Sequence, residues 1–258
     1  LSGVRLFNSL NLSMTLISNG GFLPSNSLKE IISTNNQKIV LILLLTISML
    51  NFYLIFNILN KRVLLKEHKE DFYLLGTAIL LILIIYFNNL DAFDVVISVL
   101  SSLANSGLSL LEKENNLSLY FLLIAMIGGS LISNTSGIKL GRFYILTKIT
   151  SLEIIKLISP NNIINKTIFN SDIRITDESI KISFLIFISF FLSLFILSSV
   201  LVVDNIGFEK SFKLSILTLT NTVNSEMFNM QNINFSNLLT SSKISLILFM
   251  IIGKIELI

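Results

Sequence analysis

The sequence predicts an all-α membrane protein made of repeated units, each with a helix, a short re-entrant segment and a second helix. Its 258 residues are 52% hydrophobic and only 14% charged, whereas a soluble domain carries about a quarter charged residues. The charges are clustered, so that uncharged stretches long enough to cross a bilayer remain between them. Three shorter and more polar segments lie between these stretches and share a sequence pattern.

The long apolar stretches are the predicted membrane spans, and the chain divides around them. The spans are residues 39–59, 72–90, 117–138, 182–203 and 244–258. The short segments are residues 6–28, 95–111 and 214–224. We predict one unit in residues 1–60, a second in 72–138 and a third in 182–258, joined by polar loops at 61–71 and 139–181.

The positions of the basic residues predict the orientation. Both polar loops are rich in Lys and Arg, which is typical of cytoplasmic loops. Residues 143–158 of the second loop are predicted to form an amphipathic helix along the membrane surface. If both loops are cytoplasmic, all three short segments open to the outer side. The alternative is that these segments are helices on outer surface loops.

The short segments end in similar tripeptides: Asn19-Gly20-Gly21, Asn105-Ser106-Gly107 and Asn221-Thr222-Val223. Glycine allows the dihedral angles that turn successive carbonyls to one side. Backbone carbonyls arranged in this way replace the water shell of a cation in a selectivity filter. A short helix that leads into such a site also directs its partly negative C-terminal end toward the cation. The pattern therefore favours a cation pore.

The span at 117–138 is interrupted in its middle by glycine and small polar residues. Such backbone is tolerated at membrane depth only where it is buried in protein or lines a wet cavity. We therefore expect a non-helical stretch at 127–137, below the filter. Its critical residues are Gly128, Gly129, Ser133, Asn134, Thr135, Ser136 and Gly137.

A few charged residues are candidates for a role in the pore. Lys254 and Glu256 lie in a span, where charge is expensive and usually functional, although the two could also pair for structural reasons alone. Lys139 is either a cytoplasmic anchor at a helix end or a gating residue. His68, the only histidine, is expected to be solvated. The chain has no cysteine, so it has no disulfide or thiolate metal site.

Several motifs resemble the TrkH/KtrB potassium-transporter superfamily, in family order along the whole chain. Residues 128–139 (GGSLISNTSGIK), followed by Arg142-Phe143, resemble the family's GGxxGSTxxGIK…RF signature, and residues 18–22 resemble its STGGF filter. Residues 51–52 with the 61–73 region resemble the end of its second repeat. Residues 250–257 (MIIGKIEL) resemble its terminal MLLGRLEL. The match is to the C-terminal portion of TrkH-type potassium uptake subunits, and the chain is expected to be a fragment.

The resemblance implies a pseudo-fourfold cation pore in the bacterial inner membrane, with several membrane passes. It implies a homodimer gated by a cytosolic nucleotide-binding subunit of the TrkA/KtrA type, with potassium as the transported ion. No covalent cofactor, enzymatic activity or nucleic-acid partner is expected. The three tripeptides would be the filter, and residues 127–137 the gate. Lys139, Lys254 and Glu256 would act as pore or gating charges.

Three departures from the family pattern concern selectivity and gating. Val223 stands where the fourth filter glycine is expected, Ile132 replaces a glycine of the gate motif, and Lys254 replaces an arginine. A sodium-permeable transporter of the same fold is therefore one alternative. A secondary solute transporter is another, because broken helices also build substrate sites at the membrane midplane.

Overall fold

The structure is a computed structural model that describes residues 3–25, 27–60, 68–87, 91–111, 117–159, 167–169, 174–222, 228, 235 and 238–254. These residues are almost entirely helical, and among them only an isolated bridge between Thr167 and Arg174 pairs in the manner of a sheet. The predicted all-α class is confirmed. The helices are α1 (Leu6–Ser18), α2 (Asn35–Met49), α3 (Phe52–Leu59), α4 (Lys69–Tyr86), α5 (Ala92–Leu103), α6 (Ser118–Ile127), α7 (Leu140–Ile158), α8 (Asp177–Val203), α9 (Phe208–Leu219) and α10 (Thr240–Lys254).

The short helices α5 and α9 form the centre of the fold. Nine of the twelve residues of α5 are buried. Helices α2, α4 and α6 pack against α5, while α8 and α10 pack against α9. Many of the central residues are Ser or Thr, and several of their hydroxyls donate to the carbonyl one turn earlier on the same helix, as Ser102 does to Ser98. Buried polar groups are thereby satisfied without water.

The outer faces of the longer helices are apolar. On α8 only six of 27 residues are buried. The exposed side chains of α8 include Phe184, Leu185, Phe195 and Ile196. A large exposed apolar surface around a centre rich in hydroxyl groups is typical of a protein surrounded by lipid.

Helix α8 is the one helix in the described part of the chain that is long and apolar enough to cross a bilayer by itself. Residues 35–58 pass the same test together, but they bend by 112°. The prediction of one continuous helix at 39–59 is therefore wrong, because α2 ends at Met49 and α3 begins at Phe52. Asn51 accounts for the new start, since its side chain accepts a hydrogen bond from the Tyr53 N–H and caps α3.

The predicted span at 117–138 is helical only in its first half. Helix α6 ends at Ile127, and α7 begins at Leu140. We call residues 128–139 between them the break loop. Helix α7 covers the amphipathic stretch predicted at 143–158 and packs against α8 and α4.

Candidate functional site: three helix ends and a broken helix

The three short helices α1, α5 and α9 end in the same way. Each is followed within two residues by an asparagine in the left-handed conformation: Asn19 (φ 49°), Asn105 (φ 55°) and Asn221 (φ 58°). Asparagine is one of the few residues other than glycine that adopts this conformation readily. We call the segments 19–21, 105–107 and 221–222 the Asn loops.

The backbone hydrogen bonds of the Asn loops also agree. The N–H of the residue after each asparagine donates to the carbonyl five residues earlier. These bonds join Gly20 to Thr15, Ser106 to Ser101 and Thr222 to Leu217, at 3.2, 3.0 and 2.8 Å. A left-handed residue with such a bond is a common way to end a helix. The sequence repeat is therefore also a repeat in backbone conformation.

The Asn loops meet at one place. A Cβ atom built on Gly21 would lie 3.2 Å from the Ser106 carbonyl oxygen and 3.4 Å from that of Asn221. A Cβ atom built on Gly107 would lie 3.3 Å from the Cα atom of Thr222. Since a helix C-terminus carries partial negative charge, three such ends and their carbonyls create a site that suits a cation.

Asparagine side chains link two of the Asn loops to other elements. The Asn105 Nδ2 donates to the carbonyl of Ala125 in α6 at 2.9 Å and reaches that of Thr220 at 3.4 Å. The Asn221 Nδ2 lies 3.2 Å from the carbonyl oxygen of Met250 in α10. Asn19 is as buried as Asn105, but its amide atoms have no hydrogen-bond partner among the described residues. The amides therefore serve the three loops differently.

The break loop lies against the Asn loops and contains left-handed glycines. Gly128 has φ 68°, and a Cβ atom there would lie 2.3 Å from the Ser136 carbonyl oxygen. Gly137 has φ 84°, and its Cβ atom would lie 2.8 Å from that of Met126. Neither position accepts a side chain. The two ends of the loop approach each other closely, since the Ile138 N–H donates to the Met126 carbonyl at 2.9 Å.

Two lysines bind the carbonyl groups of the break loop. Lys139 is 2% exposed, and its Nζ donates to the carbonyls of Leu131 and Ser133 at 3.0 and 2.8 Å. The Lys254 Nζ donates to the carbonyls of Ser18, at the end of α1, and Asn134, at 2.6 and 2.8 Å. Lys139 is thus not a solvent-facing anchor, and Lys254 is bound to carbonyls of two separate elements. A cavity of about 380 Å³ adjoins Lys254 and is lined by Ser18, Asn19, Gly20, Asn221, Met250, Ile251 and Lys254.

The bend between α2 and α3 pairs with the break loop. The Ser130 N–H donates to the Met49 carbonyl at 3.0 Å, and the Phe52 N–H donates to the Ile132 carbonyl at 3.0 Å. In a continuous helix Met49 would instead accept from Tyr53. The backbone groups released by the two interruptions therefore satisfy each other, as buried backbone groups must.

Acidic residues at the start of α4 were missed by the sequence analysis. The Glu70 carboxylate accepts from the N–H of Leu131 at 2.9 Å and also from that of Gly141. Asp71 accepts from the Asn51 N–H at 2.9 Å. Both lie before the predicted span 72–90. Burial raises the pKa of Glu70 to about 7 and also raises the pKa of Asp71.

The expectation that His68 is solvated is wrong. It is 4% exposed, its Nδ1 lies 3.5 Å from an Asp71 carboxylate oxygen, and its Nε2 lies 3.1 Å from the Asn57 amide nitrogen. Charged residues before an apolar stretch are usually topology signals. The sequence therefore contained no sign that His68 and Asp71 would be buried and Glu70 half-buried. Val223 and Glu256, two predicted site residues, lie outside the residues that the structure describes.

Comparison with known proteins identifies the architecture. The chain matches the crystal structure of the potassium transporter TrkH from Vibrio parahaemolyticus with a TM-score of 0.85 over 99% of its length. The chain has the TrkH fold. The two sequences are 20% identical, and the match covers 57% of the TrkH chain. The resemblance to TrkH-type proteins is thereby confirmed for the fold, and the extent of the match is consistent with the C-terminal portion that the motifs indicate.

A sequence relative agrees with this architecture. An uncharacterized cation transporter of Methanocaldococcus jannaschii is 29% identical over 202 residues, which is 75% of this chain and 42% of that protein. No protein-family model matches the chain. The chain spans about half the length of TrkH and of the archaeal transporter. Together with TrkH, the relative supports the prediction of a membrane protein.

Proposed function

We propose that the complete protein is the pore-forming subunit of a cation uptake system and that potassium is its ion. The observation that carries this proposal is the convergence of three matched Asn loops at the C-terminal ends of α1, α5 and α9. Carbonyls at such a point can replace the hydration shell of a cation. The two similar proteins, a potassium transporter and an uncharacterized cation transporter, support the same function.

In this proposal the Asn loops are the selectivity filter, and the short helices before them are re-entrant and open to the outer side. A fourth loop, implied by the family resemblance, would complete a pseudo-fourfold pore. The break loop would be the gate, and Lys139, Lys254 and Glu256 would be charges that affect the pore or the gate. Lys254 supports this arrangement, because its ammonium binds carbonyls of both an Asn-loop helix and the break loop.

The partners and the location of the complete protein are part of the proposal. We infer a homodimer in the bacterial inner membrane with several passes, regulated by a cytosolic nucleotide-binding subunit of the TrkA/KtrA type. Nucleotide would act only through that subunit. The alternatives are a sodium-permeable transporter of the same fold and a secondary solute transporter.

The test is transport by the complete protein in cells that lack their own potassium uptake. We expect growth at low external potassium and rubidium uptake. Gly107→Val should abolish both, because Gly107 has φ 65° and its Cβ atom would touch Thr222. Gly76→Val, at an exposed position of α4 with nothing within 4 Å of the new Cβ atom, is the matched control and should still transport. If wild-type protein in the membrane moved neither potassium nor sodium, the proposal would be wrong.

A further inference from the structure

The break in α6 releases backbone carbonyls, and an asparagine of an Asn loop takes one of them. In a continuous helix the Ala125 carbonyl would accept from the N–H of Gly129. That N–H donates instead to Thr135 Oγ1 at 3.0 Å. The Ala125 carbonyl accepts from Asn105 Nδ2 at 2.9 Å. The Asn105 amide thus occupies the place of the main-chain donor that the break removed.

The other end of the break loop is held by a second asparagine. The Asn221 Nδ2 lies 3.3 Å from the hydroxyl of Ser136, next to Gly137, where the loop returns to α6. Asn105 donates to the carbonyl of Ala125, three residues before Gly128, where the break loop begins. Both asparagines are in the left-handed conformation, so each side chain leaves its Asn loop from an equivalent backbone position.

We propose that Asn105 and Asn221 are positioning residues that fasten the two ends of the break loop to the filter, and so couple the shape of the gate to ion selectivity. This inference rests on the proposed function. If α6 extended through the break, Gly129 would compete for the Ala125 carbonyl, and Asn105 would lose its partner. The Asn105 bond therefore stabilises the broken form of the helix relative to a continuous one.

Asn105 also connects neighbouring Asn loops. Its Nδ2 reaches the Thr220 carbonyl, directly before Asn221, at 3.4 Å. Only the NH₂ end of the amide can bond to two carbonyls. A displacement of the Ala125 carbonyl would therefore be transmitted to the loops after α5 and α9 together.

The experiment measures access to the break loop and does not require transport. Ile132 is 50% exposed, and the chain has no cysteine. A cysteine at this position can therefore be labelled with a water-soluble thiol reagent in the purified complete protein, after replacement of any cysteine elsewhere. We expect Asn105→Gly to raise the labelling rate about fivefold, the factor that corresponds to one net hydrogen bond. Glycine keeps the left-handed backbone, so that only the side chain is lost.

Asn19→Gly is the matched substitution. Asn19 has the same conformation and burial, but its amide makes no hydrogen bond within the described chain. Whatever it does to transport, it should leave the labelling rate unchanged. An equal acceleration by Asn19→Gly, or none by Asn105→Gly, would overturn the proposal.

A second variant keeps the test decisive if Asn105→Gly fails to fold. Asn105→Asp has nearly the same shape, but it can donate to Ala125 only when it is protonated. We compare the labelling rate of the Asn105→Asp variant of the Ile132→Cys protein with that of the Ile132→Cys protein itself at each pH. The ratio of the two rates should be high at high pH and low at low pH. A labelling ratio that did not change with pH would contradict the role of the hydrogen bond.

The Asn221 end is tested by a double-mutant cycle. Asn221→Gly and Ser136→Ala both remove the contact between Asn221 and Ser136, and Asn221→Gly also removes the contact with Met250. The combined effect of the two on the labelling rate should therefore be smaller than their sum, whereas the effects of Asn105→Gly and Ser136→Ala should add. Full additivity of the first pair would refute the proposed role of Asn221. In transport assays, Asn105→Gly should also change the potassium-to-sodium permeability ratio. If the wild type carried no cation, the proposed function would fail, while the labelling rates would still show whether Asn105 and Asn221 fasten the break loop.

Discussion

At the scale of single residues, the glycines of this chain show how closely its backbones approach. A Cβ atom on Gly253 of α10 would lie 2.1 Å from the Leu219 carbonyl oxygen, at the end of α9. The carbonyl oxygen belongs to the backbone, and the backbone of Gly253 fixes the position of the Cβ atom, so no side-chain rearrangement can relieve the contact. Small residues at helix crossings allow this approach in membrane proteins. The glycine in the MIIGKIEL motif thus sets the distance between the last described helix and the Asn loop after α9.

We predict that Gly253→Ala destabilises the protein by separating α10 from α9. A shift of packed helices to accommodate one methyl group costs about 1–3 kcal/mol. The measurement is the thermal unfolding midpoint of the complete protein in detergent. Gly76→Ala in α4 is the control, because its new Cβ atom would touch nothing within 4 Å. Alanine there should be neutral or stabilising, and equal midpoints for both variants would refute the packing argument.

We also predict that Val223→Gly sharpens the preference for potassium over sodium. The residues two positions after Asn19 and Asn105 are Gly21 and Gly107, with φ 72° and 65°. Val223 stands at the corresponding position after Asn221, and a β-branched residue does not readily take positive φ. A glycine should align the carbonyls more regularly. The reversal potential in mixed potassium and sodium solutions measures the preference, and an unchanged value would argue against assigning Val223 to the filter.

At the scale of elements, the break loop is held by charged side chains as well as by backbone. Glu70 binds two of the N–H groups in or next to the loop, and Lys139 and Lys254 bind its carbonyls. A non-helical segment has no internal partners for these groups, so the neighbouring elements must supply them. The conformation of the loop therefore depends on α4 and α10 as much as on its own sequence.

The Glu70 carboxylate should make the stability of the protein depend on pH. Its pKa is raised from 4.5 to about 7, mainly by burial. The contribution of Glu70 to the free energy of unfolding is therefore fully present below pH 4.5, and it is lost as the pH rises through 7. Glu70→Gln should reduce the fall in the free energy of unfolding between pH 4.5 and 7.5 by an amount on the order of 3 kcal/mol at most.

Two residues define the controls for this experiment. The pKa of Asp71 is raised in the same direction, so part of the pH dependence should remain in the Glu70→Gln variant. Glu153 forms an exposed pair with Lys156, and Glu153→Gln should leave the pH dependence of the unfolding free energy as in the wild type. If the unfolding free energy of Glu70→Gln depended on pH as that of the wild type does, Glu70 would not be the titrating group.

At the scale of the whole molecule, the repeated units are joined by contacts that their own sequences do not predict. Lys38 in α2 and Asp94 in the first turn of α5 form an ion pair at 2.9 Å, with side chains that are 19% and 12% exposed. They belong to different predicted units and are 56 residues apart. This pair, the Asn105–Thr220 contact and the pairing of the two broken helices hold the units around a common centre.

We predict that Asp94→Asn lowers the unfolding midpoint. The amide keeps the shape of the side chain but loses a charge-assisted bond to Lys38, which contributes about 1–3 kcal/mol. Glu209→Gln is the matched control, since Glu209 pairs with Lys213 within one helix and is 81% exposed. Exposed pairs contribute little, so the control should melt as the wild type does. Similar losses in both variants would mean that the Lys38–Asp94 contact has no special role.

The sequence by itself determined the features that follow from composition and local pattern. Clustered charges and long apolar stretches predicted a helical membrane protein. The Asn tripeptides and the glycines at 128, 129 and 137 predicted where helices would end, because asparagine and glycine tolerate left-handed backbone. The order of the motifs predicted the TrkH fold.

The tertiary structure alone decided where released backbone groups and buried charges find partners. Residues 39–59 are uncharged and look continuous in sequence, but they break at Asn51 because the Ser130 N–H donates to the Met49 carbonyl there and the Ile132 carbonyl accepts from the Phe52 N–H. His68 and Glu70 look like solvated loop residues, but His68 is buried and Glu70 is half-buried, because neighbouring segments of the chain enclose them. Local sequence controls which backbone angles are possible. The partner of a freed carbonyl or N–H group depends on distant segments that only the fold brings together.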